Sequence, residues 1–338
     1  MIWLAAIAIV LSTAHAVPQP GPAPAGMVWI PGGEFTMGTD ERESYPPERP
    51  AHRVKVDGVW MDKTEVTNEE FERFVKATGY VTTAEKKTDW EDLKKQVPHG
   101  TPKPSDEMLA PGSMVFVRPE KAVDLRNIGN WWQWMPGANW RHPEGPKSSI
   151  KGKEKYPGVQ VSWDDAVAYA KWAGKRLPTE AEWEFGARGG LEGKRYAWGD
   201  ELKPGDKWLA NIFQGHFPDK DTGADGFTGL APVASFPPNG YGLYDMIGNA
   251  WEWCSDWYRV DTYSTLAKQG GVTVNPTGPS SSYDPEFPLQ PERVTRGGSF
   301  LCSDHYCLNY RPSARRGTES DSGMSNVSFR CVKTPDKK

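Results

Sequence analysis

The chain has 338 residues, with 40 Lys and Arg against 44 Asp and Glu, a formal net charge of −4. The two signs are intermixed, so neither a nucleic-acid surface nor an anionic-membrane patch is indicated. Glycine (35), proline (30) and 16 tryptophans point to many turns and irregular segments, held by large aromatic side chains rather than long helices.

Met1 to Ala16 is an apolar run ending in Ala14-His15-Ala16, a small-x-small cleavage site. It reads as a secretory signal peptide, too short for the roughly 20 apolar residues of a membrane anchor. Export to a secreted or periplasmic location, with no membrane anchor after cleavage, is the expectation. Residues 17–25 are Pro-rich and read as a flexible N-terminus. No repeat and no composition break follows, so residues 26–338 are expected to form one domain.

Met27 to Gly38 reads as short strands meeting glycine turns. Thr67-Asn-Glu-Glu70 is a capping box; Phe71, Phe74 and Val75 follow at helical spacing and Gly79 closes the helix. Lys86 to Lys155 shows no sustained period and is expected to be a long ordered excursion with flexible parts. Its Trp131-Trp132-Gln-Trp134 would be costly to leave in water. Ser162-Trp-Asp-Asp165 opens a second helix, with Ala166, Val167, Ala170 and Ala173 on one face and Gly174 as the stop. Thr179-Glu-Ala-Glu182 opens a third, ending near Gly189-Gly190, and Arg293 to Phe300 reads as a strand running into a glycine turn.

Two of the four cysteines, Cys302 and Cys307, lie five residues apart behind Gly297-Gly298. They could form a disulfide, a soft-metal site or a redox pair, while Cys254 and Cys331 carry no local sign of their pairing. In an extended chain that spacing points the sulfurs to opposite faces, so Ser303 to Tyr306 must turn. Two thiolates without a third donor suit Cu(I). The six histidines are scattered and offer no local zinc or iron site. Asp219 to Leu230 superficially resembles an EF-hand loop but has Ala224 at the sixth position and Leu230 at the twelfth, so it is rejected.

Several segments together resemble the formylglycine-generating enzymes of the sulfatase-modifying factor family. They are Gly137 to Gly145, Val161 to Tyr169, Trp172 to Glu184, Gly240 to Tyr244, Gly248-Asn-Ala-Trp-Glu-Trp253 and Arg296-Gly-Gly-Ser299 with the cysteine pair. The likeness runs from about Met27 to the C-terminus. It implies an α+β, C-type-lectin-related fold, low in regular structure.

The resemblance further implies a copper-dependent oxidase. Cys302 and Cys307 would hold Cu(I), and O2 would oxidise a cysteine in a Cys-x-Pro-x-Arg motif of an unfolded sulfatase polypeptide to Cα-formylglycine. Ser299 and Trp251 match residues lining the oxygen pocket; Tyr306, Arg315 and Asn326 match others at the active site. Structural Ca2+ is implied at Asn211, the Ile212 carbonyl, Asp225 and the Phe227 carbonyl, and at Asp245, the Gly248 and Ala250 carbonyls and Glu252. Members commonly carry histidine after the first cysteine, where this chain has Ser303, with His305 two residues on. Ala170 and Ala187 stand where some members carry cysteines, leaving Cys331 either free or bonded to Cys254. Asn326-Val-Ser328 is a glycosylation sequon whose sugar would block the pocket, so it is read as unmodified. The rival readings are a non-catalytic lectin-like binding module with a Cys302–Cys307 disulfide, and a protein that stores Cu(I).

Overall fold

A computed structural model describes residues 19–335, and the expected signal peptide at 1–16 lies outside the described residues. The chain opens with strands β1 (Met27–Ile30), β2 (Gly33–Met37), β3 (His52–Val56) and β4 (Val59–Asp62), then helix α1 (Asn68–Thr78) and the one-turn α2 (Trp90–Leu93). A hairpin of β5 (Gly112–Phe116) and β6 (Trp132–Pro136) precedes α3 (Trp163–Trp172) and α4 (Glu180–Arg188). The C-terminal half carries β7 (Gly215–His216), β8 (Lys220–Asp221), β9 (Trp251–Trp257), α5 (Thr262–Gln269), β10 (Val272–Val274), β11 (Glu292–Arg296), β12 (Arg315–Glu319), β13 (Val327–Ser328) and β14 (Val332–Lys333). The fold is α+β, with much of the chain in turns and irregular segments.

The three expected helices form with their caps. Thr67 accepts from the Glu70 N–H while Glu70 accepts from the Thr67 N–H, and Gly79 ends α1 in the left-handed region at φ 68°. Ser162 and Thr179 make the same reciprocal bonds at α3 and α4, and Gly189 closes α4 at φ 56°. The excursion from Lys86 to Lys155 is more regular than its sequence suggests. It contains the β5–β6 hairpin, registered Gly112 to Pro136 and Phe116 to Trp132. Trp131, just before β6, is buried against Phe217 and Tyr306.

The four-stranded sheet, ordered β12-β11-β9-β13, positions the site. Side chains alternate between its faces, and paired residues share a face. Arg315 pairs with Arg296, and Arg296 with Glu252, so all three look toward α4. There Arg296 and Arg315 bind Glu180, and Arg296 also binds Glu184, all buried. Trp251 and Arg316 belong to the opposite parity, and the Arg316 guanidinium lies 6.0 Å from the Trp251 ring centre. On that side Trp251, Trp253 and Cys302 join one apolar cluster with residues of α1 and α3.

Candidate active site

The turn that carries the thiols begins where β11 ends. Gly297 (φ 91°) and Gly298 (φ 74°) occupy the left-handed region. A Cβ on Gly298 would sit 3.0 Å from the Asn309 backbone, so only glycine lets the incoming chain pass under residues 309–310. Three backbone bonds then fix the entry: Cys302 N–H to Ser299 O (2.9 Å), Phe213 N–H to Cys302 O (2.9 Å) and Phe300 N–H to Asn249 O (3.0 Å). Ser303 shapes the turn itself. Its Oγ accepts from the Tyr306 N–H (3.2 Å) and its carbonyl from the Cys307 N–H (3.0 Å). The Cα atoms of Cys302 and Cys307 come within 4.6 Å and the sulfurs are joined as a disulfide. Cys302 is 1% exposed and Cys307 is half-buried.

Buried Ser303 thus performs a backbone task where relatives are expected to carry histidine. His305 does not take that place, because its side chain is 74% exposed and faces Asp304 at 3.3 Å. Cys254 and Cys331 are both free and fully buried, in different apolar clusters. Burial, and then nearby Asp256 and Asp62 respectively, push their thiols well above the ordinary range.

The other expected site residues divide. Ser299 is buried and its Oγ accepts from Asn326 Nδ2 at 3.0 Å, so these two are brought together behind the turn. The Trp251 N–H donates to the Asn326 carbonyl (2.8 Å), which ties the tryptophan to the same pair. Asn326 is too buried to accept a sugar in the folded chain. Tyr306 stacks on Phe217 with ring centres 4.2 Å apart. Burial raises its pKa against the pull of the Arg316 charge. Arg315 lies on the far face of the sheet, its guanidinium held by Glu180 (2.6 and 2.9 Å) and the Arg259 carbonyl (2.8 Å). Arg316 is the arginine of β12 that shares a face with Trp251.

The residues expected around hard cations also take definite places. Asp225 accepts from the N–H groups of Ile212 (3.0 Å) and Phe227 (2.9 Å), and its Oδ2 also accepts from Gln214 Nε2 (2.7 Å). The same Gln214 nitrogen donates to the Ile212 carbonyl, so two expected cation ligands converge on one positive amide end. Asn211 donates to the Gly229 carbonyl and to Asn249 Oδ1.

At the second position Asp245 is pushed up to about 6 by burial, and then by Glu252. Glu252 is bound by Arg330 and Trp183. Glu65 is buried nearby, raised well above the carboxylate range by burial and then by Asp245 and Glu252. Its Oε2 has no hydrogen-bond partner. Buried Glu65 and Glu252 with the half-buried Asp245, facing one arginine, leave negative charge that a cation or a proton must balance, which fits a hard cation. Among the described residues no three Asp, Glu, His or Cys side chains form a ready-made cage, so such an ion would depend on backbone carbonyls. Gly248 and Ala250 supply them on the segment whose Gly248 N–H binds Gly297 O (2.9 Å), directly under the thiol turn.

Sequence reasoning passed over Asn249, Gln214, Glu65 and Asn309. Asn249 had a signal: an asparagine flanked by Gly248 and Ala250 suits the left-handed conformation it adopts at φ 57°. Glu65, two residues before the α1 cap, had none.

Comparison with known proteins accords with this geometry. The model of the sulfatase-modifying factor enzyme 1-like domain matches residues 13–335. A formylglycine-generating enzyme of Streptomyces coelicolor is 44% identical, covering 98% of both chains. One from Mus musculus is 47% identical over 92% of this chain and 77% of its own. An inactive Cα-formylglycine-generating enzyme 2 of Mus musculus is 39% identical over 90% of this chain and 85% of its own. Among solved structures, PvdO from Pseudomonas aeruginosa superposes with a TM-score of 0.57 at 25% identity, covering 90% of this chain and 93% of its own. The chain belongs to the sulfatase-modifying factor enzyme 1-like family.

Proposed function

We propose that this protein is an exported oxidase that converts a cysteine in a Cys-x-Pro-x-Arg segment of an unfolded sulfatase to Cα-formylglycine, using O2 and Cu(I). One observation supports it most: both thiols sit in a single turn, over the buried Ser299–Asn326 pair and Trp251. Once reduced, Cys302 and Cys307 offer two soft sulfur donors on one turn, a set that suits Cu(I). Copper bound there supplies the activation of O2.

The protein's own groups do the rest. Cys302 is shielded from water, while Cys307 gives the incoming cysteine access. Ser299 and Asn326 present polar atoms behind the turn, and Tyr306 with Phe217 and Trp131 forms an aromatic wall beside it. Hard cations beneath the turn would serve only to hold its supporting loops.

The rival reading is a non-catalytic binding module. The joined sulfurs favour it, as does similarity to a relative named inactive. The deciding assay mixes reduced protein, loaded with Cu(I), with a Cys-x-Pro-x-Arg peptide in air. Conversion lightens the peptide by about 18 Da, as CH2SH becomes CHO. It should require copper and disappear in Cys302→Ser and in Cys307→Ser. Activity surviving either change sinks the oxidase reading, and a silent protein whose disulfide resists mild reduction moves the reading to the binding module.

A further inference from the structure

We propose that Asn309 is a positioning residue for Cys307 that biases the thiol pair toward its reduced form. Its Nδ2 lies 3.2 Å from the Cys307 sulfur, and no other side chain among the described residues donates to either sulfur. Its Oδ1 is buried without a hydrogen-bond partner, so no other side-chain hydrogen bond among the described residues orients the amide. The orientation is forced chemically: a disulfide sulfur or thiolate has no proton to give, and only the NH2 end can face it productively.

The contact is worth more in one redox state than in the other. A disulfide sulfur is a weak acceptor, whereas reduction places negative charge on it, and hydrogen bonds to charged groups are about twice as strong as neutral ones. Asn309 therefore stabilises the reduced pair, with Cys307 as the thiolate, over the disulfide. With glutathione as reductant, the Cys302–Cys307 bond breaks and one glutathione–glutathione bond forms. Two glutathione thiols are oxidised; one of their protons passes to Cys302 and the other to solvent, leaving Cys307 as the thiolate that the Asn309 amide faces. The inference concerns this equilibrium alone and holds whether or not a peptide is oxidised afterwards.

The test equilibrates the full chain anaerobically in graded glutathione buffers, quenches by alkylation, and reads the mass of the peptide bearing both cysteines. Asn309→Ala should need about tenfold more reducing buffer for half reduction, equivalent to about 30 mV. Asn309→Asp, which keeps the shape but removes the donor and adds charge, should shift at least as far. Asn309→Gln should recover part of the difference, and His305→Ala, an exposed change in the same turn, should stay within about twofold. Should Asn309→Ala fail to fold, the isosteric Asp and the Gln variants decide, the Gln value having to lie nearer wild type. The inference is overturned if Ala matches wild type within about twofold, if only Asp shifts, or if the disulfide becomes easier to reduce.

Discussion

The two faces of the four-stranded sheet are built from neighbouring residues and put to opposite uses. Toward α4, Arg296 and Arg315 are locked between Glu180 and Glu184, with every guanidinium group buried. Burial alone would raise the pKa of Glu180, but Arg315 and Arg296 reverse that and hold it below the usual value. On the other face lie Trp251, the thiol turn and the exposed Arg316, whose guanidinium makes no ion pair among the described residues. One face spends its charges on each other; on the other, the Arg316 guanidinium is left at the surface without an ion pair among the described residues. A motif that names an arginine does not say which face it serves, and one residue of register decides it.

That contrast can be broken most severely at Arg315. Arg315→Ala leaves Glu180 with one cationic partner inside the protein and should cost about 3–5 kcal/mol of unfolding free energy. Denaturant titration measures this, and a change under about 1 kcal/mol means the network is not structural.

A pH experiment sharpens the same face. Asp256 accepts from the Glu180 N–H at 2.9 Å and is pushed up to about 7, by burial and then by the Glu180 charge. Because the folded value exceeds the unfolded one, the folded protein keeps a proton that the unfolded chain has lost. The resulting stability is fully present below about pH 4, falls by about 1.4 kcal/mol per unit and is gone above about pH 7. Asp256→Asn should flatten this decline, seen as a smaller difference in melting temperature between those limits. An unchanged slope would show that another group carries it.

Smallest of all should be Arg316→Ala, within about 0.5 kcal/mol in stability, because its side chain lies at the surface. Any loss of peptide conversion in that variant then reports on binding rather than folding. A large destabilisation would erase the distinction between the faces.

Local rules carried the sequence reading where the physics is local. Thr67, Ser162 and Thr179 begin helices because each caps donors only three residues away, and Gly79 and Gly189 end them where left-handed backbone is needed. The turn between Cys302 and Cys307 was legible for a similar reason. The β5–β6 hairpin was not: Trp131 and Trp132 follow one another, and the half-buried β6 lacks a clean alternation of apolar and polar residues. The pairing of Arg296 with Glu180 joins residues 116 positions apart, a distance over which composition and spacing say nothing. Arg315 was found as a residue but not as a direction, since its face depends on strands the sequence does not align.

Asn249 ties together more of the site than any cysteine does. Its carbonyl accepts from Phe300 and its N–H donates to the Asn211 carbonyl, while its side chain joins Glu65, Asn211 and Ala231. Four stretches distant in sequence therefore meet at one asparagine, and the turn hangs from it as well as from its own Gly298 and Ser303. For anyone reshaping the enzyme, the exposed tip at Asp304 and His305 is a cassette open to randomisation, whereas position 249 is the mounting to which it is bolted.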